Sequence, residues 1–328
     1  MKTHRCLFVV VLVLALICPP MARSAEMAGL SSEEREAPEG RQEEAKEEEC
    51  PATFGPLITD TAIPTDTGRF VIQPTIGFTA VTNNFTDSWR RVSAGGSFYS
   101  YEMSLKLTYG LFKNMEVYTV IPYIHNWASS VDEEGQGPGG ERSSNFGGLG
   151  DISLTFKYRI VEESETLPTI SAVFTPTFPS GHFRNLNPRR IGTDAIGGGG
   201  YVLTPGFNIS KYIKPFIVYG NLYYSFVTDF TDDDGPQYPR DFVTANFAVE
   251  YPFTAQWVGC LELTSAWDTG RLFGPSPNSP PAALLSIAPE IEYMATDKLS
   301  FSLGVNVDLV GRNTAAGVTP ILSMVYAF

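Results

Sequence analysis

Histidine and cysteine are scarce in this chain of 328 residues, which contains three histidines and four cysteines. Two of the cysteines lie in an apolar stretch at the N-terminus, so only Cys50 and Cys260 remain beyond it. So few cysteines exclude a disulfide scaffold, although they do not exclude a single disulfide between these two. The remaining cysteines, with His125 and His182, do not show the spacing of metal ligands. We therefore predict no metal site and no cofactor.

Apolar runs long enough for a membrane-spanning helix are also lacking, since about 20 residues are needed. The longest run, residues 7–18, follows Lys2 and Arg5 and is followed by prolines and small residues. This order is typical of a secretory signal peptide. The sequence predicts export, with residues 1–24 removed.

Basic residues are outnumbered, with 23 lysines and arginines against 36 acidic residues and a net charge of −13. This balance excludes nucleic acid as a partner, because binding to phosphates requires a basic face. Ten glutamates lie in residues 26–49, which contain no aromatic residue and no apolar period. Such a composition predicts an acidic linker, disordered or weakly helical, over residues 25–54.

The rest of the chain is rich in alternating segments. In residues 99–109 one face carries Tyr99, Tyr101 and Tyr109 with apolar residues between them, whereas the other face carries Glu102 and Lys106. A period of two predicts a strand with two unlike faces. Twelve segments share the pattern: 70–80, 99–109, 115–123, 151–160, 169–178, 201–210, 216–226, 243–251, 257–267, 285–293, 299–309 and 318–328.

The connections between these segments alternate between short turns and long polar loops. Residues 111–114 and 211–215 are examples of the turns, and residues 125–150 and 179–200 of the loops. A meander with short periplasmic turns and long extracellular loops is the plan of an outer-membrane barrel. We predict an all-β fold over residues 55–328, a transmembrane antiparallel up-and-down β-barrel of about 12 strands. A secreted soluble β protein is the rival interpretation.

Aromatic residues are placed where a membrane would have its two interfaces. Ten residues of strand tilted by about 40° reach about 25 Å, the height of a lipid-facing band. Tyr99 and Tyr109 bound one such strand, and Trp257 and Trp267 bound another. The chain ends on Phe328, with apolar residues at every second position before it. We expect outer-membrane lipids and lipopolysaccharide as surroundings, and recognition of Phe328 by the barrel assembly machinery of a Gram-negative bacterium.

Three stretches resemble a known family. They are YGLFKNMEVYTVIPYI at 109–124, GGLGDISLTFKYRI at 147–160 and FTPTFPSG at 174–181. They are similar to the family named for the MetA pathway of phenol degradation, and the Gly-Leu-Gly-Asp motif at 148–151 is the most specific part. The resemblance covers most of residues 55–328 and implies an outer-membrane barrel that transports small aromatic or apolar compounds. The acidic linker has no counterpart in this resemblance.

The predicted register points a set of charged side chains into the lumen: Glu102, Lys106, Glu116, Asp151, Lys157, Arg159, Glu250, Glu262, Glu290, Glu292 and Asp308. One interpretation is that these charges pair across neighbouring strands, with Glu102, Lys106 and Glu116 as the first such network. The other is a path whose negative field favours cations or polar neutral solutes. The sequence leaves both open.

Two other functions compete with a channel or transporter. A hydrolase within the barrel needs a histidine base beside a nucleophile, and His125 with Ser129 nearby is the better of two candidates, but no familiar hydrolase motif surrounds it. We therefore expect that the protein is not an enzyme. A structural or adhesive barrel is the third class, with the acidic linker as its contact element.

Removal of residues 26–49 should leave barrel assembly intact, because a solvated acidic linker contributes no core. Heat-dependent mobility of the folded barrel on a denaturing gel measures this. A shortened chain that stays unfolded in membranes would overturn the prediction.

Overall fold

The computed structural model describes residues 53–131 and 142–328, apart from the side chain of Thr82. The predicted signal peptide and nearly all of the predicted linker lie outside the described residues. Thr53 and Phe54, assigned to the linker by sequence, are described. Within the described ranges, no helix is long and apolar enough to cross a membrane.

Fifteen strands account for most of the described chain. They are β1 (Phe70–Phe85), β2 (Arg91–Phe112), β3 (Met115–Val131), β4 (Arg142–Leu149), β5 (Ile152–Val161), β6 (Thr169–Phe178), β7 (Val202–Ile213), β8 (Phe216–Val227), β9 (Phe230–Asp232), β10 (Gly235–Gln237), β11 (Phe242–Pro252), β12 (Trp257–Asp268), β13 (Ala283–Thr296), β14 (Leu299–Arg312) and β15 (Thr314–Ala327). A short 3₁₀ turn, Pro188–Arg190, lies between β6 and β7.

The strands form one closed antiparallel barrel. Consecutive strands pair around the sheet, and β1 pairs with both β2 and β15, which closes it. Both β4 and β5 pair with β3, so they form one strand interrupted at Gly150 and Asp151. The wall therefore has twelve strands, while β9 and β10 form a separate hairpin in a loop. The predicted fold class is confirmed.

The two ends of the barrel differ as predicted, but three of the predicted long loops are mostly strand. Short turns such as residues 113–114 and 214–215 lie at the end that also holds both Phe70 and Phe328, here called the turn end. The opposite end, here called the loop end, carries the longer connections.

Three connections at the loop end are shorter than predicted. Only residues 86–90 separate β1 from β2, and only Asn313 separates β14 from β15. In the predicted loop 125–150, β3 extends to Val131 and β4 begins at Arg142. These strands are longer because they pair well beyond the lipid band.

The outer face of the barrel is apolar, as lipid requires. Met103, Leu263, Leu303 and Leu322 point outward and are exposed. The inward face instead carries buried polar residues, among them Thr155, Asn208, Ser210 and Ser302. A soluble protein would reverse this arrangement, because apolar side chains are stable on the outside only when lipid surrounds them.

The six aromatic residues assigned to the interfaces all lie on the outward face. Tyr109 is paired with Phe70, Trp257 contacts the ring of Tyr293 at 4.7 Å, and Phe328 packs on Phe70 at 5.8 Å, all at the turn end. Toward the loop end the structure places Tyr99 opposite Trp127, Tyr101 opposite His125 and Trp267 opposite Ala283. Rings at both borders of the apolar band match the preference of aromatic side chains for membrane interfaces.

Leu263→Arg should destabilise the barrel by about 2–4 kcal/mol, since a cation in the middle of the lipid band is costly. Leu263 lies halfway along β12 and faces outward. The control is Ile213→Arg at the turn end of β7, where the cost falls to about 0–1 kcal/mol. Urea unfolding in lipid vesicles measures both changes. Equal destabilisation of the two variants would contradict the outward assignment of Leu263.

Candidate functional site

The chain before β1 lies inside the barrel. Residues 53–66, here called the inner segment, contain no helix or strand, and their polar groups bond to side chains of the wall. The sequence assigned residues 55–69 to the barrel domain, but the wall begins only at Phe70. The lumen is therefore partly filled by the chain's own N-terminal part.

Gly110 marks the place where the chain enters the lumen. The amide of Gly68 donates to the carbonyl of Gly110 at 2.8 Å, and the amide of Gly110 donates to the carbonyl of Arg69 at 3.0 Å. A Cβ on Gly110 would overlap the backbone of Asp66. Only glycine allows this close approach of two backbones.

Carboxylates of the wall accept the backbone amides of the inner segment. Glu262 accepts two, from Ile58 at 2.9 Å and from Thr59 at 2.6 Å. Glu290 accepts the amide of Leu57 at 3.1 Å, and Glu292 that of Phe54 at 3.3 Å. Since the inner segment has no ladder of its own, each buried amide needs such a partner.

In the part of the inner segment that is closer to β1, other wall side chains accept the backbone amides. Thr65 donates its amide to Glu116 at 2.6 Å, Ala62 donates to the hydroxyl of Ser210 at 2.8 Å, and Asp60 donates to Asn221 at 2.8 Å. With the four amides held by β12 and β13, seven backbone amides of the inner segment bond to wall side chains. Hydrogen bonds of this number fix the inner segment in one register within the lumen.

An ion cluster fixes the middle of the inner segment. Lys157, only 1% exposed, lies 2.8 Å from a carboxylate oxygen of Asp60 and 2.9 Å from one of Glu116. Lys106 approaches the second oxygen of Asp60 at 3.6 Å and lies over the ring of Tyr118. Burying a lysine is costly unless acids surround it, and here two acids do. Asp60 is thus balanced by both lysines. Lys106 is balanced by Asp60, and Lys157 by Asp60 and Glu116.

Glutamates on the far side of the lumen hold the start of the inner segment. The hydroxyl of Thr53 lies 2.8 Å from Glu292 and 3.2 Å from Glu250, and Glu250 also accepts the hydroxyl of Tyr219 at 2.8 Å. Glu250 and Glu262 are both at most 1% exposed. These acids lie on β11, β12 and β13, opposite the ion cluster.

One group of donors could hold a metal ion. Ligand atoms of Glu250, Cys260 and Glu290 all lie within 4.8 Å of one another. The sequence did not predict this group, because it joins three separate strands and contains a single cysteine. Its glutamates already accept hydrogen bonds from Tyr219 and Leu57. Cys260 forms no disulfide among the described residues.

The predicted lumen residues divide into those that contact the inner segment and those that do not. Lys106, Lys157, Glu116 and the four glutamates of β11–β13 contact it or its ion cluster. Glu102 faces the lumen but forms neither an ion pair nor a hydrogen bond among the described residues, so the predicted network of Glu102, Lys106 and Glu116 does not form. Lys106 pairs with Asp60 instead.

Three more predicted residues have local roles. Arg159 lies at the turn end, where its guanidinium donates to the side chain of Asn114 at 2.9 Å. Asp308 accepts the hydroxyl of Ser286 at 2.7 Å within the wall. Asp151, at the interruption between β4 and β5, accepts the amides of two loop glycines, as described next.

The loop between β6 and β7 folds onto the inner side of the barrel at the loop end. Asp151 accepts the amides of Gly181 at 2.8 Å and Gly198 at 2.7 Å. Asn126, which faces the lumen, donates to the carbonyl of Thr193 at 3.1 Å, and Ile196 is buried. The loop end is thereby narrowed by ordered backbone.

Sequence reasoning did not identify Asp60, Asn208 or Asn221 as parts of the site. Asn208 and Asn221 lie on the lumen face of β7 and β8, so strand alternation carries a signal for them, although they are uncharged. Asp60 lies in a stretch without period, and no sequence pattern indicates that this stretch enters the lumen. The amide of Asn208 donates to the Asp60 carboxylate at 2.9 Å.

The candidate hydrolase residues do not come together. His125 points outward and stacks on Trp127 at 4.2 Å, whereas Asn126 points inward. Ser129 is four residues from His125 on the same strand, about 13 Å away at about 3.3 Å per residue. A serine at that distance cannot give up its proton to this histidine.

Geometry and surface thus define a class: a twelve-stranded membrane barrel of the outer-membrane type whose lumen holds an ordered N-terminal segment. The chain belongs to the family described as "Putative MetA-pathway of phenol degradation", whose model matches residues 59–322. The predicted family is confirmed. No curated protein matches this sequence.

Solved structures are similar to this chain at low sequence identity. The COG4313 outer membrane channel from Pseudomonas putida F1 is 14% identical with a TM-score of 0.64, over 81% of this chain and 98% of that chain. The translocator domain of the autotransporter NalP from Neisseria meningitidis is 12% identical with a TM-score of 0.48, over 80% and 90%. The toluene transporter TbuX from Ralstonia pickettii is 11% identical with a TM-score of 0.43, also over 80% and 90%.

Glu262→Ala should release the inner segment locally. It removes the acceptor of two charge-assisted hydrogen bonds, each worth about 1.5–3 kcal/mol, so amide exchange at Ile58 and Thr59 should accelerate by about 100-fold. Hydrogen exchange followed by mass spectrometry measures this. Glu102→Ala is the matched control, since Glu102 faces the lumen without contacting the inner segment, and it should leave exchange unchanged. Unaltered exchange in the Glu262 variant would contradict the anchoring role.

Proposed function

We propose that this protein is an outer-membrane channel that passes small molecules through a lumen narrowed by its own inner segment. The observation that carries the proposal is a cavity of about 610 Å³ beside the inner segment, inside a closed barrel with an apolar outer face. A barrel that served only as an anchor would have no need of open space within it. The cavity is large enough for a small organic molecule.

The family description and the shared fold support the same function. A family named for phenol degradation suggests small aromatic or apolar compounds as solutes. The solved barrel from Pseudomonas putida F1 bears the description of an outer membrane channel, and its fold is shared over most of both chains. Phenol itself combines an apolar ring with one hydroxyl, and such a molecule suits a lumen of mixed polarity.

The geometry of the titratable residues supports a non-catalytic role. His125 lies on the outward face, away from the acids and hydroxyls of the lumen. Glu116, Glu262, Glu290 and Glu292 accept amides of the inner segment rather than contact a nucleophile. A structural or adhesive barrel without transport is the second candidate, and the conductance experiment below separates it from a channel.

Contacts outside the lumen complete the proposal. Phe328 packs against Phe70 and Tyr326 at the turn end, where the barrel assembly machinery would read the C-terminal strand. At the loop end Arg189 is exposed, and we assign it to the anionic groups of lipopolysaccharide. For residues 26–49 the composition supports a solvated acidic linker.

Removal of residues 53–66 should raise the conductance of the channel several-fold, because the inner segment occupies part of its cross-section. Single-channel recording in planar bilayers measures this. The control lacks residues 26–49 and keeps the inner segment, so its conductance should equal that of the full chain. Absence of conductance from every form, with folded barrels present, would contradict the channel and favour a structural barrel.

A further inference from the structure

Most wall residues that line the cavity beside the inner segment belong to one side of the barrel. They lie on β15, β1, β2 and β3 and include Val325, Val71, Gln73, Thr75, Ser104 and Tyr118. Lys157 of β5 and, across the lumen, Ile217 and Tyr219 of β8 also line it. None of Glu250, Glu262, Glu290 and Glu292 does. The open part of the lumen therefore does not border these four carboxylates directly.

The contacts of the inner segment explain why the space is on this side. Its hydrogen bonds go to β3, β6, β7, β8, β11, β12 and β13, and Leu57 lies against Gly304 of β14. Among the described residues, β1 and β15 contribute none of these bonds. The chain enters the lumen beside Gly110 of β2. From there toward the loop end, the only polar contact of β2 with the inner segment within the described ranges is the ion pair of Lys106 with Asp60. The inner segment thus leans away from the β15–β1–β2 wall.

The charges at the cavity cancel. Two cations, Lys106 and Lys157, face two anions. Lys106 lies 3.6 Å from Asp60, and Lys157 lies 2.8 Å from Asp60 and 2.9 Å from Glu116. At the turn end Arg69 pairs with Asp66 at 3.6 Å. Because each charge that lines the cavity has a partner, the field within the cavity is small and gives no advantage to either sign of ion. A charged solute would also lose part of its hydration in so narrow a space.

The uncharged residues that line the cavity include both polar and apolar side chains. Thr75 and Ser323 share a hydrogen bond at 2.9 Å, and Gln73 donates to Ser323 at 3.2 Å. These groups already have partners, so they remain satisfied when no solute is present, and they can exchange one bond with a passing hydroxyl. Val71 and Val325 lie next to them, toward the turn end of β1 and β15, and supply apolar contact.

We infer that the solute path runs between the inner segment and the β15–β1–β2 wall, and that it passes small uncharged molecules in preference to ions of either sign. This inference rests on the proposed channel function and specifies its path and solute class. Lys106 lies across the path, because it is the side chain that connects this wall to Asp60. The acidic wall of β11–β13 is covered by the inner segment and takes no part in selection.

The path can be located with single cysteines in a background with Cys50→Ser and Cys260→Ser. Ser104→Cys places a thiol in the cavity, and Thr264→Cys places one at a similar height on the lumen face of β12, outside the cavity lining. A bulky thiol reagent should lower the conductance of the Ser104 variant by more than half and leave the Thr264 variant nearly unchanged. Equal block of both variants, or block at Thr264 alone, would overturn the location.

The solute class is tested by swelling of liposomes that contain the full-length protein. Glucose, gluconate and glucosamine have similar size and carry no charge, a negative charge and a positive charge. Glucose should enter several-fold faster than either ion. Faster entry of glucosamine would show that the acidic wall selects cations and would overturn the inference while leaving the channel intact. No entry of any of the three, together with no conductance, would refute the channel and the path together.

Discussion

Hydrogen bonding between wall carboxylates and the backbone amides of the inner segment is the constraint on which the lumen depends. A segment without helix or strand cannot satisfy its own amides, and the amides of the wall strands are already paired with their neighbours. Only side chains remain as acceptors. Glutamate suits this role because its two oxygens can accept two consecutive amides, as Glu262 does for Ile58 and Thr59. The position of the inner segment, and hence of the cavity, follows from where these acceptors lie.

The two sides of the lumen balance charge in different ways. Around Asp60 the balance is ionic, because Lys157 contacts both Asp60 and Glu116. On β11–β13 no lysine or arginine forms an ion pair with the glutamates among the described residues, and the positive ends of amide and hydroxyl dipoles stabilise them instead. Since all of these dipoles except the Tyr219 hydroxyl belong to the inner segment, its removal would leave several carboxylates close together with fewer partners. The inner segment therefore stabilises the wall as much as the wall holds the inner segment.

Sequence alternation was sufficient to predict the barrel, since each strand must present one face to lipid and the other to the lumen. The twelve segments and the lumen orientation of residues such as Glu262 and Lys157 come from this period, whereas the family came from the resemblance of three stretches. Strand lengths were underestimated at the loop end, because β1, β2, β3, β4, β14 and β15 continue beyond the lipid band, where alternation is no longer enforced. Asp60 could not be found in this way. Its stretch has no regular structure, and its position depends on acceptors that are distant in sequence and meet only when the barrel closes.

An acidic lumen does not by itself imply a preference for cations. The sequence shows more acids than bases on the inward face, and a uniform pore would translate this excess into a negative field. In the structure most of the excess lies on β11–β13, where the inner segment covers the carboxylates. The amide dipoles of the inner segment offset part of the field of these carboxylates, and salt in the water-filled space screens exposed charges over about 8–10 Å. Selectivity at the cavity is therefore set by the uncovered wall of β15, β1 and β2, where hydroxyl, amide and apolar groups line the space and Lys106 is paired with Asp60.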